Sequence, residues 1–199
     1  MNIDYSFSVA PMMGYTTPHG RYLYRLMSKK AVLFTEMVAS KALVKGNQKK
    51  ILFKNKKENP IILQVGGSDD YELRASSELA EKLGFDGINL NIGCPSKKVQ
   101  KGKFGVCLMK ESKLVNRLIK SMKDETNIDI SVKCRTGVDN FNEYEFLKQF
   151  VNEVSNAGCN IFFIHARKAL LKGLNPAQNR TVPKLEYEKV YKLKEDFPE

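Results

Sequence analysis

The feature that most constrains this chain is a repeated order: a short apolar run, a helical pattern, then the next apolar run. The runs are four to six residues long and start near Phe7, Ala31, Ile61, Gly87, Ile128 and Cys159. Nearly apolar strands joined through helices belong to a parallel sheet covered by helices. Two closures satisfy that order, an open doubly wound sheet and a (β/α)8 barrel. The glycine-rich dinucleotide fingerprint of the open fold is missing after the first run, where Pro11-Met12-Met13-Gly14 stands. Polar residues recur at the carboxyl ends of the runs, at Glu36, Gln64, Asn91, Lys133 and His165. A barrel gathers its strand ends around one mouth, so this distribution favours a TIM-type (β/α)8 barrel. A complete barrel takes eight strands and ~250 residues, whereas six candidate strands fill these 199 residues. The expectation is one domain over residues 1–199 holding about the first six β/α units, truncated before the last two strands.

The helices have local signals. Thr17 caps a helix that starts at Pro18, with Tyr22, Leu23, Leu26 and Met27 as its apolar face. A second helix runs from Ser40 to Leu52. Ser68 caps a third, which turns Leu73, Leu79, Ala80 and Leu83 inward. Ser112 to Met122, Asn142 to Asn156 and Leu185 to Asp196 complete the set, and a polar loop occupies 172–183.

Lysine and arginine outnumber aspartate and glutamate 33 to 22, a formal charge of +11. That balance suits a polyanionic partner such as nucleic acid. Four scattered cysteines without a CxxC pair, and two histidines, argue against a disulfide scaffold or a structural metal. The amino terminus lacks a basic and apolar leader, and no stretch approaches the ~20 apolar residues of a membrane span. A cytoplasmic protein without an obligate protein partner is expected.

The central stretch is Asn89-Leu90-Asn91-Ile92-Gly93-Cys94-Pro95-Ser96. It places a thiol just past a strand, beside the basic run from Lys97 to Gly105, which reads as a flexible loop too polar for core. Cys107, Cys134 and Cys159 read as packing residues. Paired carboxylates, a Ser-His-Asp order, HExxH and a Walker loop are all missing. Gln64, Lys133 and His165 offer donors suited to a polarised heterocycle such as flavin, with a lysine stabilising the reduced ring. A cysteine is mostly protonated at neutral pH, so Cys94 is a candidate general acid.

These blocks resemble the tRNA-dihydrouridine synthase family. Its signature is similar to Asn89–Ser96. Other blocks follow in the same order at Ala10-Pro11-Met12, Gln64–Ser68, Val132–Gly137 and Ile164–Lys168. The run His165-Ala166-Arg167-Lys168-Ala169, with Gly173–Pro176 and Asn179-Arg180, resembles the A-type bacterial subfamily acting on D-loop uridines 20 and 20a. The resemblance implies a TIM-type barrel with FMN, reduced by NADPH, and a carboxy-terminal helical domain that binds tRNA. It implies Cys94 as proton donor, Pro11, Met12, Met13, Gln64, Lys133 and His165 as flavin contacts, and Asn91 near the uridine. Arg167, Lys168, Asn179 and Arg180 fall where the family contacts tRNA, and lysines on the Lys97–Lys103 loop are placed to hold phosphates.

Two departures stand out. Gly14-Tyr15-Thr16-Thr17 replaces the family's more acidic run. The family's last two glycine-rich strand ends, which grip the FMN phosphate, and the helical domain are absent. The piece is therefore expected neither to hold FMN tightly nor to turn over. Two other readings remain open: an FMN-dependent dihydropyrimidine or dihydroorotate-type oxidoreductase, and a non-catalytic RNA-binding fragment.

Overall fold

The computed structural model describes residues 3–198; Met1, Asn2 and Glu199, the ends of the expected 1–199 domain, lie outside it. The chain divides into two compact units, Met1–Leu90 with Ser121–Ile130, and Asn91–Lys120 with Ser131–Glu199.

The first unit carries β1 (Ser8–Val9), α1 (Pro18–Met27), β2 (Val32–Phe34), β3 (Val38–Ala39), α2 (Ser40–Lys45) and α3 (Gln48–Ile51). β4 (Ile61–Gly66), α4 (Asp70–Lys82) and most of β5 (Gly87–Asn91) follow. β1 pairs with β2, β2 with β4 and β4 with β5, all parallel, and the short β3 also pairs with β4. All of β2 and β4 is buried, as strands apolar on both faces require. Gly87 belongs here because a β-carbon would lie 2.9 Å from both the Asp129 carbonyl and Ile62 Cδ1.

Three expectations change in this unit. Thr17 does cap α1, accepting from the Gly20 N–H at 3.2 Å, but the buried face is not the apolar one. Tyr22, Leu23, Leu26 and Met27 are 42% to 77% exposed, whereas Arg21 and Arg25 are buried. Their guanidinium groups converge on the buried Glu58. Arg21 Nε donates to Glu58 Oε2 at 2.6 Å, and its other nitrogens reach the Thr16 and Phe53 carbonyls at 2.8 and 2.9 Å. Arg25 donates to the Glu58, Pro60 and Ser28 carbonyls. A planar fork satisfied by a carboxylate and several carbonyls holds a helix inward where leucines would otherwise do so. The helix expected over Ser40–Leu52 breaks at Gly46 into α2 and α3. Asp69, rather than Ser68, caps α4 by accepting from the Glu72 N–H at 3.0 Å, and Leu83 is left exposed.

The second unit carries Asn91 and the loop after it, α5 (Lys97–Lys101), a 3-10 turn (Gly105–Lys110) and most of α6 (Ser112–Lys123). It continues with most of β6 (Asp129–Arg135), α7 (Tyr144–Ser155), β7 (Ile161–His165), a 3-10 turn (Gln178–Arg180) and α8 (Tyr187–Asp196). β6 and β7 are parallel, with Lys133 opposite Phe163 and Arg135 opposite His165. The basic run from Lys97 to Gly105, expected to be a flexible loop, forms α5 over Lys97–Lys101 with Val99 in the core, and the 3-10 turn that follows from Gly105 buries Val106, Leu108 and Met109. β7 is half-buried along its length although Ile161 to Ile164 are apolar. Phe162 and Ile164 line a groove of about 420 Å³ with Val151 of α7 and Leu193 of α8.

The fold class is α/β, with parallel strands alternating with helices in the manner of an incomplete TIM-type barrel. Among the described residues no helix is long and apolar enough to cross a membrane.

The Glu58 centre sets a stability test. Glu58→Gln removes the carboxylate and leaves Arg21 buried without its counter-charge, which costs about 3–5 kcal/mol. Urea denaturation measures it, and a loss below about 1 kcal/mol would show that water reaches the pair.

Candidate active site

Cys94 is delivered by a side chain three residues earlier. Asn91, the last residue of β5, turns its Oδ1 back to accept the N–H groups of Gly93 and Cys94, at 3.1 and 2.9 Å. This Asx-type turn ends the strand and leaves the Cys94 thiol half-buried. The segment is fastened to β6 by the Ile92 N–H, which donates to the Lys133 carbonyl at 2.8 Å. Ser96 then caps α5, accepting from the Val99 N–H at 3.3 Å. The chain returns to Cys94 immediately afterwards, where the Val106 N–H donates to the Cys94 carbonyl at 3.1 Å. Gly105 permits this closure. Its φ is +69°, and a β-carbon there would stand 2.4 Å from Val99 Cγ1 and 2.6 Å from the Cys94 carbonyl oxygen.

β6 and β7 supply the rest. Alternation along a strand puts Lys133 and Arg135 on one face, and in-register pairing adds His165 beside Arg135. Cys134 falls on the opposite face, fully buried, and burial pushes its thiol up to about 12. It and the buried Cys159 have the packing surroundings expected of them.

Arg135 ties three segments together. The residue is 3% exposed. Nε donates to the Gly93 carbonyl at 2.9 Å, and Nη1 to the Asn179 and Lys168 carbonyls at 2.9 and 3.3 Å. These partners are all neutral carbonyls, and among the described residues no carboxylate is paired with the buried positive charge. Burial lowers the Arg135 pKa to about 10; the Cys94 thiol opposes the shift, and Arg180 and Arg167 add to it. The Lys133 ammonium is also pushed down, first by burial, with Arg135 contributing. His165 falls to about 4, from burial and then from Arg135, Lys133, Arg167 and Arg180. The imidazole is therefore neutral at pH 7, and carries one N–H donor and one acceptor. A thiol, a neutral imidazole and a crowded ammonium around an unbalanced guanidinium make a surface suited to a developing negative charge.

A family model described as dihydrouridine synthase (Dus) matches residues 8–198. The chain belongs to the dihydrouridine synthase family. Curated relatives carry the name tRNA-dihydrouridine(20/20a) synthase. The one from Shewanella oneidensis is 47% identical over 197 residues, covering 99% of this chain and 58% of the relative. Those from Yersinia pestis and Escherichia coli K12 are 50% and 49% identical over 193 residues, covering 96% of this chain and 56% of each relative. The chain thus spans less than three-fifths of the length of these dihydrouridine synthases.

The residues expected at a dihydrouridine synthase site have different surroundings. In the second unit Cys94, Lys133 and His165 cluster around Arg135 as described. Asn91, expected near a uridine, uses its side-chain oxygen to shape the thiol loop. Arg167 and Lys168 are half-buried, with the Arg167 guanidinium on the Pro183 carbonyl, and Arg180 is exposed. Asn179 departs from its expected place on a tRNA-contacting surface. It is fully buried, and its amide bridges the Leu170 N–H and the Leu170 and Asn175 carbonyls. An amide placed in a loop with unpaired backbone groups satisfies them first.

In the first unit Gln64 is buried and donates to Asn89 Oδ1 at 2.7 Å, its register partner on β5. Pro11 is half-buried, Met12 and Met13 exposed. The Met12 N–H and carbonyl, expected as cofactor contacts, are both taken by Thr16, at 3.0 and 2.9 Å. In the altered run after Met13, Gly14 has a φ of +79° and donates its N–H to Glu36 Oε1 at 2.6 Å.

The residue given no role by sequence reasoning is Arg135. The available signal was a guanidinium at the end of an apolar strand, two positions from a lysine.

The cluster predicts a titration. The His165 ring titrates near pH 4 by NMR, and Arg135→Gln moves its midpoint toward the ordinary value of ~6.5. Because the folded pKa lies below the unfolded one, this contribution to stability is complete above about pH 6.5 and is lost as pH falls through 4. A wild-type midpoint near 6.5 would mean that the cations do not crowd the imidazole.

Proposed function

We propose that this chain carries the thiol side of the site in a flavin-dependent tRNA-dihydrouridine synthase acting on D-loop uridines 20 and 20a, with NADPH as reductant. The observation that supports the reading most directly is the half-buried Cys94 thiol on a loop held by Asn91, Val106 and Arg135. Family membership and the names of the relatives point the same way.

The donor set fits a flavin ring edge. Lys133 and His165 lie on one face of the β6–β7 pair, the lysine with its pKa pushed down by burial and the imidazole neutral, on a surface with surplus positive charge. They would hold that edge, and Lys133 would offset negative charge on it. Pro11, Met12, Met13 and Gln64 remain proposed contacts, with Met12 bound through atoms other than its occupied amide. A bound reduced flavin supplies a hydride to C6 of the uracil.

The rest of the chemistry belongs to the chain. As C6 gains the hydride, the C5=C6 double bond gives way and its electron pair collects at C5, conjugated with the C4 carbonyl. The Cys94 thiol then transfers its proton to C5, which completes the saturated C5–C6 bond and leaves a thiolate. Arg135 acts by position. It fixes the carbonyl of the residue before Cys94, and its uncompensated charge faces the thiolate. Arg167, Lys168 and Arg180 supply positive charge for the tRNA backbone, and Asn179 shapes the loop that carries them.

Because the piece by itself is expected not to turn over, the test joins it to the part of the Escherichia coli K12 relative that it does not span, supplies unmodified tRNA, FMN and NADPH, and measures dihydrouridine at positions 20 and 20a. Cys94→Ala is expected to lose about 100-fold or more of the rate with tRNA binding retained. A full rate in that variant removes Cys94 as the acid. Reduction of a free pyrimidine with tRNA untouched moves the chain to the oxidoreductase reading, and tRNA binding without any dihydrouridine moves it to the RNA-binding one.

A further inference from the structure

The stretch from Asn91 to Lys110 holds five lysines and no aspartate or glutamate. Lys110 pairs with Asp139 at 3.4 Å. The other four, Lys97, Lys98, Lys101 and Lys103, are exposed, and among the described residues none of their ammonium groups is ion-paired. Most of their neighbours turn inward: Val99 is buried, Gln100 donates its amide to the Pro95 carbonyl at 2.8 Å, and Phe104 is half-buried. The segment thus has a packed inner side and an outer side on which the lysines and Gly102 face solvent.

Its anchoring decides what those cations can reach. The loop leaves Cys94 through Pro95 and returns to Cys94 through Gly105 and Val106, whose N–H binds the Cys94 carbonyl at 3.1 Å. Both ends of the lysine segment are therefore fixed at the thiol residue. A polyanion lying along α5 has to pass close to Cys94.

We propose that Lys97, Lys98, Lys101 and Lys103 form a phosphate-binding edge for the RNA strand flanking the base presented to Cys94. This rests on the functional reading above and turns the expectation of phosphate contacts from the Lys97–Lys103 stretch into four named side chains whose segment is fastened at both ends to Cys94. An RNA strand fits the edge better than an acidic protein surface. Its charges repeat at regular intervals along a line, and a base drawn out of its stack leaves flanking phosphates close to the reacting atom. The cost of unstacking, a few kcal/mol, is offset by such backbone contacts. Lysine suits this role because it meets phosphates as a mobile point charge and reads no sequence.

The test measures tRNA binding by this chain across a salt series, with far-UV circular dichroism to compare folds. The variant replaces all four α5-edge lysines by glutamine. A control makes the same change at the exposed Lys41, Lys45, Lys56 and Lys57. Each lost phosphate contact lowers the slope of log K against log salt by ~0.7 to 0.9, so the edge variant is expected to fall by about 3 and the control by less than 1. Lys98→Gln alone is expected to lower it by ~0.7 to 0.9 and serves if the fourfold variant folds poorly. Saturating tRNA should also slow alkylation of Cys94 by iodoacetamide, read by mass spectrometry of its peptide. At the same tRNA concentration, that protection should weaken in the edge variant only. Equal slopes for wild type and edge variant, or equal losses in edge and control, overturn the edge while leaving tRNA as the substrate. Failure of the wild-type chain to bind tRNA overturns the functional reading together with it.

Discussion

The second unit depends on one buried cation. The Arg135 guanidinium donates to carbonyls of the thiol loop, of the segment after β7 and of the 3-10 turn at Gln178–Arg180. These segments are far apart in sequence and share no regular ladder with one another. A guanidinium fork suits such a junction, because several donors lie in one rigid plane and each takes a backbone oxygen. Burying that charge against neutral carbonyls is unfavourable in isolation. The arrangement becomes sensible when the site generates negative charge during its chemistry, as a thiol that gives up its proton does. Organisation of the loop and electrostatics of the reaction then come from the same side chain.

The first unit uses the same chemistry for a different end. Arg21 and Arg25 sit one helical turn apart on α1 and meet the carboxylate and carbonyl of Glu58. There the cations have a counter-charge, so the centre is structural. The contrast between a paired cluster and an unpaired one separates scaffold from site more clearly than burial does. Arg21 and Arg135 are equally inaccessible, at 3% each, and among the described residues only Arg21 of the two is ion-paired. The surplus continues outward, through Arg167 and Arg180 near the imidazole and through the lysines of α5, toward a surface suited to a polyanion.

Reading the chain residue by residue located β2, β4 and β5 well because their apolar runs are almost wholly buried and tolerate little else, and it passed over the two-residue β3. It misread α1, because hydrophobicity alone assigns the inward face to Leu23 and Leu26, and the buried partner Glu58 lies more than thirty residues away. Asn179 enters only through the resemblance, as part of a region that contacts tRNA, and only the folded loop reveals the Leu170 backbone groups that its buried amide satisfies. The basic run after Cys94 is legible as charge and illegible as structure, since Val99 and Phe104 are its two apolar side chains among four lysines.

The β/α order, the family signature around Cys94 and the excess of positive charge are legible in the unfolded chain. Each is a property of neighbouring residues or of their sum, so no distant contact is needed to see it. Folding alone sets which polar groups meet: Arg135 with Gly93 and Asn179, Arg21 with Glu58, and Gly105 against Cys94. Those pairings join residues tens of positions apart or depend on a glycine's positive φ. They are set by strand register and loop closure, which no local pattern encodes.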